Sequence, residues 1–178
     1  SPTVAVVKDN RWGRTYEGYS SDAALVKAYA GEIVKGIQGE PGELGSDPSK
    51  VVATAKHWIG DGGTYRGIDK GNTILDLDQL LELHGQGYLS AIDADVQSVM
   101  VSFNSWNGRK LHGHKQLVTD VLKNQLGFDG LVVSDWDGVG QVQGCTTENC
   151  PQAINAGIDL IMVPQGWRNL IINILAQV

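Results

Sequence analysis

The stretch Gly130-Leu131-Val132-Val133-Ser134-Asp135-Trp136-Asp137-Gly138 carries the decision about the fold. Its first half is apolar and β-branched without alternation, as in a strand of a parallel sheet covered on both faces. Its second half turns polar, aromatic and Gly-containing as soon as the strand ends. The same two-part pattern recurs along the chain. Thr3-Val4-Ala5-Val6-Val7 runs into residues 8–14, and Val51-Val52-Ala53-Thr54-Ala55 runs into residues 56–63. Ser98-Val99-Met100-Val101-Ser102 runs into residues 103–108, and Asp159-Leu160-Ile161-Met162-Val163 into Pro164-Gln165-Gly166.

Between these runs lie segments with helical period. Val26, Ala30, Ile33, Val34 and Ile37 define the first, opened by Ser21 or Asp22 as N-cap and closed near Gly39. Leu77, Leu80, Leu81, His84, Tyr88 and Ile92 define one continuous second helix. Leu117, Val118, Val121, Leu122 and Leu126 define a third, with Gly127 at C′. A short helix follows at residues 152–156, and another begins over residues 169–178.

Strand alternating with helix predicts an α/β fold with a parallel sheet and right-handed crossovers. Two architectures compete: a doubly wound open sheet, complete with five strands, or part of a (β/α)8 barrel, which takes eight strands in about 250 residues. An open sheet gathers function at one switch point. Here every strand ends in a loop of charged, amide or aromatic groups, which is the barrel pattern. No Gly-x-Gly-x-x-Gly follows a strand and no phosphate-binding Gly-Lys-Ser/Thr loop occurs, so nucleotide folds lose support. The expectation is a fragment of a (β/α)8 TIM-like barrel with about five parallel strands. Residues 1–178 read as a partial catalytic barrel domain, with the remaining strands expected outside this chain.

Composition narrows the function. The chain has 178 residues, 14 Lys and Arg against 20 Asp and Glu, a net charge of −6, and is 42% hydrophobic. That apolar fraction excludes disorder, and no run reaches the roughly 18 apolar residues of a membrane span. An acidic chain without a basic block is a poor nucleic-acid partner. Cys145 and Cys150 form one close pair, either a small loop disulfide in an exported protein or two free thiols.

Several loop residues carry chemistry. Asp135 follows a strand directly and precedes Trp136; a carboxylate fixed there suits nucleophilic attack or stabilisation of a cationic transition state. A turn or N-cap aspartate is the structural alternative, and the better reading of Asp137 beside Gly138. Lys56 and His57 can hold vicinal hydroxyls, and Arg11 and Arg14 offer planar forks for paired oxygens. Trp12, Trp58, Trp106 and Trp136 offer flat faces for a pyranose, unless they are core aromatics. His112 and His114, with Asp135, Asp137, His57 and Asp61, are the candidate metal ligands; no third His stands at ligand spacing, so no metal or cofactor is expected.

Taken together and in order, Arg11-Trp12-Gly13-Arg14-Thr15-Tyr16-Glu17, Lys56-His57-Trp58-Ile59-Gly60-Asp61-Gly62-Gly63-Thr64 and Ser134-Asp135-Trp136-Asp137-Gly138 resemble glycoside hydrolase family 3. Ser105-Trp106-Asn107-Gly108 and residues 157–164 extend the resemblance through the chain. It is greatest to the β-glucosidase and exo-β-glucan glucohydrolase branch. The resemblance implies a retaining double displacement that removes terminal glucose from β-glucosides, with Asp135 as nucleophile. It implies that Arg14, Lys56 and His57 grip the first sugar, that Trp136 clamps the next, and that the Lys56–His57 peptide is cis.

It also implies a second, α/β sandwich domain of the same enzyme that supplies the acid/base, so residues 1–178 alone are expected to be inactive. Secretion or a periplasmic location follows by the same analogy. Two departures stand out: Phe103 where relatives carry Tyr, and Lys70 where some carry an acidic residue. The family's β-N-acetylglucosaminidase branch is disfavoured, because Ile59 and Asp61 replace its Pro and His. A non-catalytic carbohydrate-binding barrel fragment is the alternative from another class, and retention of Asp135 argues against it.

Overall fold

The structure, a computed structural model, describes residues 2–177. Its main sheet contains β1 (Thr54–Trp58), β3 (Ser98–Val101) and β6 (Leu131–Val133). All pair in parallel, with Thr54 opposite Ser98 and Ser98 opposite Leu131. The first and last predicted strands flank this sheet as shorter parallel bridges, Thr3 with Lys56 and Val133 with Leu160. The Val4 N–H donates to the Lys56 carbonyl at 2.8 Å, and the Ser134 N–H to the Leu160 carbonyl at 2.8 Å.

The spatial order of the five segments therefore follows their sequence order. A doubly wound sheet reverses direction at a switch point, and this one does not. The five loops that follow these segments stand at one end of the parallel sheet, the arrangement of a barrel segment.

The second strand lies three residues later than its β-branched run suggested. Val51 and Val52 are exposed, and the Ala53 N–H is held by the Gln38 side chain at 3.1 Å. The strand instead continues through Lys56, His57 and Trp58, because their neighbours on both sides supply parallel partners. Tertiary pairing overrides residue propensity here.

One face of the sheet is sealed by helices. Val4, Val6, Ala55, Val99 and Val132 pack with Val26 and Val34 of α1 (Ala23–Gln38), with Tyr88 and Ala91, and with Leu117 and Val118. Burying each of the larger side chains is worth about 1.5–3 kcal/mol, so this face supplies the cohesion. Asp22 caps α1, its side chain accepting from the Ala24 N–H, and Gly39 ends it with φ 91°. The second predicted helix is divided at Gly85 into α2 (Leu77–His84) and α3 (Gln86–Asp93). Asp76 and Gln79 form a reciprocal capping box at the start of α2. The third is a π-helix, Gln116–Gln125, and Gly127 follows with φ 73°.

Two further helices follow, α4 (Pro151–Ala156) and α5 (Trp167–Leu175). The last predicted helix thus starts and ends earlier than residues 169–178, and Val178 lies outside the described residues. Among the described residues no helix is long and apolar enough to cross a membrane. Thr54, Met100, Leu131, Val133, Leu160 and Met162 line a concave cavity of about 770 Å³ on the sheet's other face.

At the loop end, a small second sheet was not anticipated. β2 (Asn72–Thr73) pairs in parallel with β4 (Ser105–Trp106), which pairs antiparallel with β5 (Arg109–Lys110). Asn107 and Gly108 turn this hairpin with φ 47° and 86°, the two positive values of a type I′ turn. Farther along, Cys145 and Cys150 are joined as a disulfide with Cα atoms 4.7 Å apart, around an antiparallel bridge between Thr146 and Asn149.

Candidate active site

β6 delivers Asp135 two residues after its last strand position, with its backbone held on both sides. Its N–H donates to Nε2 of His112 at 2.9 Å, and its carbonyl accepts from the Ser134 hydroxyl at 2.9 Å. Oδ1 accepts from the Trp136 N–H at 2.7 Å. Oδ2 is buried, has no hydrogen-bond partner among the described residues, and stands 3.9 Å from Nε2 of His57. A fixed carboxylate with one uncommitted oxygen is the arrangement a nucleophile needs.

β1 delivers Lys56 and His57. The Lys56–His57 peptide is cis, and so is Trp58–Ile59. Nδ1 of His57 donates to Oδ2 of Asp61 at 2.8 Å, and both side chains are buried. Asp61 is itself held, since its Oδ1 accepts from the Gly62 N–H at 2.9 Å. The carboxylate fixes the imidazole so that Nε2 faces Asp135.

The loop after the first strand adds Arg14 and Glu17. Nε and Nη2 of Arg14 donate to the two Glu17 oxygens at 2.6 and 2.8 Å, a bidentate pair. Nζ of Lys56 lies 3.6 Å from Oε2 of Glu17. The hydrogen bond from Arg14 pushes the Glu17 carboxyl below its ordinary range, with help from the charges of Arg14, Lys56 and His57. The Arg14 guanidinium is pushed up, first by its hydrogen bond to Glu17, then by the charges of Glu17, Asp61 and Asp135. These mutual influences join the loops after three strands into one electrostatic unit.

Of the residues singled out from sequence, Arg14, Lys56, His57 and Asp135 come together, and Trp136 stands beside them with 58% of its surface exposed. The other three tryptophans are structural. Trp12, Trp58 and Trp106 are buried, their indole N–H groups donating to Asp69 Oδ1, the Leu117 carbonyl and the Leu75 carbonyl. Arg11 is turned away onto Asp9 in an exposed pair. Asp137 occupies a left-handed turn with φ 54°, ahead of the Gly138–Gln141 3₁₀ turn. Lys70 lies over the ring of Phe103 at 4.5 Å, so the two departures from the family pattern meet each other.

His112 and His114 diverge, one reaching under Asp135 and the other packing against Trp106 at 5.2 Å. Sequence reasoning missed the roles of Glu17 and Asp61. Both had a signal: Arg14 and Glu17 are three residues apart, and Asp61 follows His57 by four in a turn that can return its carboxylate to the ring.

The cluster offers an anionic oxygen beside a cationic amine, a guanidinium and an oriented imidazole, with an exposed indole at the rim. Such a set can hold several hydroxyls of one sugar while a carboxylate approaches its anomeric carbon.

Comparison with known proteins places the chain in a family. Residues 1–178 match the profile described as the glycosyl hydrolase family 3 N terminal domain. A Formosa agariphila protein named beta-xylosidase is 35% identical over 171 residues, which span 92% of this chain and 24% of that protein. A periplasmic beta-glucosidase of Salmonella typhimurium is 29% identical over 170 residues, 93% of this chain and 22% of its own length. The crystal structure of an exo-1,3/1,4-beta-glucanase from a Pseudoalteromonas species superposes with a TM-score of 0.97 at 60% identity, covering 99% of this chain and 22% of that one. The chain thus spans less than a quarter of each of these relatives.

Proposed function

This chain belongs to glycosyl hydrolase family 3, and from that premise we propose that its protein is a retaining, exo-acting β-glucosidase or β-glucan exohydrolase with Asp135 as nucleophile. The observation that carries the reading is the free, buried Oδ2 of Asp135, facing His57 at the end of β6. That oxygen attacks the anomeric carbon of a terminal glucose, the glycosidic bond breaks, and the leaving oxygen takes a proton from an acid/base group. Water, deprotonated by the same group, then attacks the anomeric carbon and releases Asp135.

In this reading Arg14, Lys56 and His57 hold the hydroxyls of the reacting glucose, and Trp136 stacks on the sugar beyond it. The acid/base comes from a second domain of the same enzyme, and further strands complete the barrel outside residues 1–178. The site's own carboxylates support this. Glu17 is held as an anion by Arg14 and Lys56, and both oxygens of Asp61 are already engaged.

A β-glucan substrate is supported by the 60% identity to an exo-1,3/1,4-beta-glucanase. A location outside the cytoplasm is supported by the relative named periplasmic and by the Cys145–Cys150 bond, since disulfides persist in oxidising compartments.

Treatment of the full-length protein with a slow 2-deoxy-2-fluoro glucoside tests the proposal. A covalent ester should map to Asp135, and Asp135→Asn should abolish it while Asp137→Asn permits it. A label on Asp137, net inversion at the anomeric carbon, or binding of an aryl β-glucoside without phenol release would overturn it.

A further inference from the structure

We propose that His112 is a positioning residue for the nucleophile, its unprotonated Nε2 accepting the backbone N–H of Asp135 and thereby setting where the carboxylate stands. The proposal rests on Asp135 being the nucleophile.

The hydrogen-bond sense fixes the ring's protonation. A backbone N–H can only donate, so at 2.9 Å Nε2 must offer a lone pair, and the imidazole proton sits on Nδ1. A doubly protonated ring would set two N–H groups against each other. The surroundings favour the neutral form. His112 is completely buried, and its pKa is lowered to about 3, chiefly by that burial and further by the charges of Lys110 and His57. The ring packs edge-on against Phe103 with centroids 5.8 Å apart.

The chain also makes room for the contact. A Cβ at Gly138 would come within 2.3 Å of Nε2 of His112, closer than any real side-chain atom tolerates. Gly138 therefore lets the imidazole reach beneath the nucleophile loop. Its own N–H donates to the Asp135 carbonyl at 3.0 Å. The peptide groups flanking the Asp135 Cα are thus gripped by His112 on one side, and by Ser134 and Gly138 on the other. With Oδ1 tied to the Trp136 N–H, the placement of Oδ2 is set by the backbone, and the backbone by His112.

A ring that only filled space would be replaceable by any side chain of similar bulk. The test separates that case by comparing His112→Gln, which keeps an acceptor at similar reach, with His112→Leu, which does not. Both are made in the full-length protein and assayed on an aryl β-glucoside. His112→Leu should lower kcat at least about tenfold, because the Asp135 N–H loses its partner. The inhibition constant for glucose should stay within about twofold, since the residues proposed to hold the sugar are untouched. His112→Gln should recover to within about threefold of the wild type, and the rate of fluoro-glucoside trapping should follow kcat.

Equal losses in both variants, or wild-type kcat in His112→Leu, would overturn the proposal. Should His112→Leu not fold, Gly138→Ala carries the test. The added methyl should displace the ring and lower kcat while glucose inhibition holds, and wild-type kcat there would overturn the proposal. Mapping the trapped ester in the wild type separates the two failures. A label away from Asp135 defeats the underlying reading, whereas a label on Asp135 with His112→Leu unimpaired defeats this one alone.

Discussion

Nδ1 of His57 donates to Oδ2 of Asp61 across 2.8 Å, and the pair is shut away from solvent. Asp61 thereby fixes both the tautomer and the tilt of the imidazole that faces Asp135. Replacing Asp61 by Ala leaves a buried N–H without an acceptor, at a cost of about 1–3 kcal/mol. We expect Asp61→Ala to lower both the melting temperature and kcat/KM, the latter by about tenfold or more. Asp61→Asn retains a carbonyl oxygen and should lose less. Steady-state kinetics with thermal melts check this, and an Asp61→Ala enzyme with wild-type kcat/KM would contradict it.

Glu17 should make acid stability its own concern. Its folded pKa lies below the ordinary 4.5, so its contribution is fully present above that value and is lost as pH falls through the lowered folded value. Melting temperature measured against pH should decline across this acid window in the wild type. In Glu17→Gln that part of the decline should be missing. At neutral pH the same variant frees Arg14 and Lys56 from their clamp and should lower kcat/KM by about tenfold.

Asp137 offers the opposite result. It holds a left-handed conformation that costs a residue with a Cβ about 1–2 kcal/mol. Asp137→Gly should therefore be neutral or stabilising by up to about 1 kcal/mol, with hydrolysis retained. A loss of activity comparable to that of Asp135→Asn would show that the two aspartates share the chemistry.

The Cys145–Cys150 bond closes a very short loop, so its removal should cost less than the roughly 3 kcal/mol of a 15-residue loop. Thiol labelling of the native protein should find neither cysteine until a reductant is added. After reduction the melting temperature should fall slightly, with the site chemistry unchanged.

The order of the five strand runs, the caps at Asp22 and Gly39, and the turn role of Asp137 were legible, because each rests on local chemistry. The fate of the tryptophans was not. Trp58 and Trp136 both lie at strand ends in Gly-containing loops, yet one is buried and the other open, according to whether neighbouring chain covers it. Val51 and Val52 misled for the same reason: β-branching favours an extended backbone, but only a partner strand makes it a strand.

Glu17 was visible within its motif, but its grip on Lys56 depends on the adjacency of two strands. The hairpin at Asn107-Gly108 was announced by the most reliable short turn signal in the chain, and the surrounding polar residues masked it.

That small hairpin has a consequence for anyone who would recombine such proteins. β2 lies in the loop after β1, while β4 and β5 lie in the loop after β3, and their ladder stitches the two loops together through Asn72, Thr73, Ser105 and Trp106. The Asn104 side chain adds a further stitch, donating to the Thr73 hydroxyl at 3.0 Å and to the Ile59 carbonyl at 3.3 Å. Loops on a barrel rim are commonly treated as interchangeable parts. Here a graft of residues 59–75 from a relative should succeed only if residues 103–110 travel with it, so the two loops form one inherited cassette.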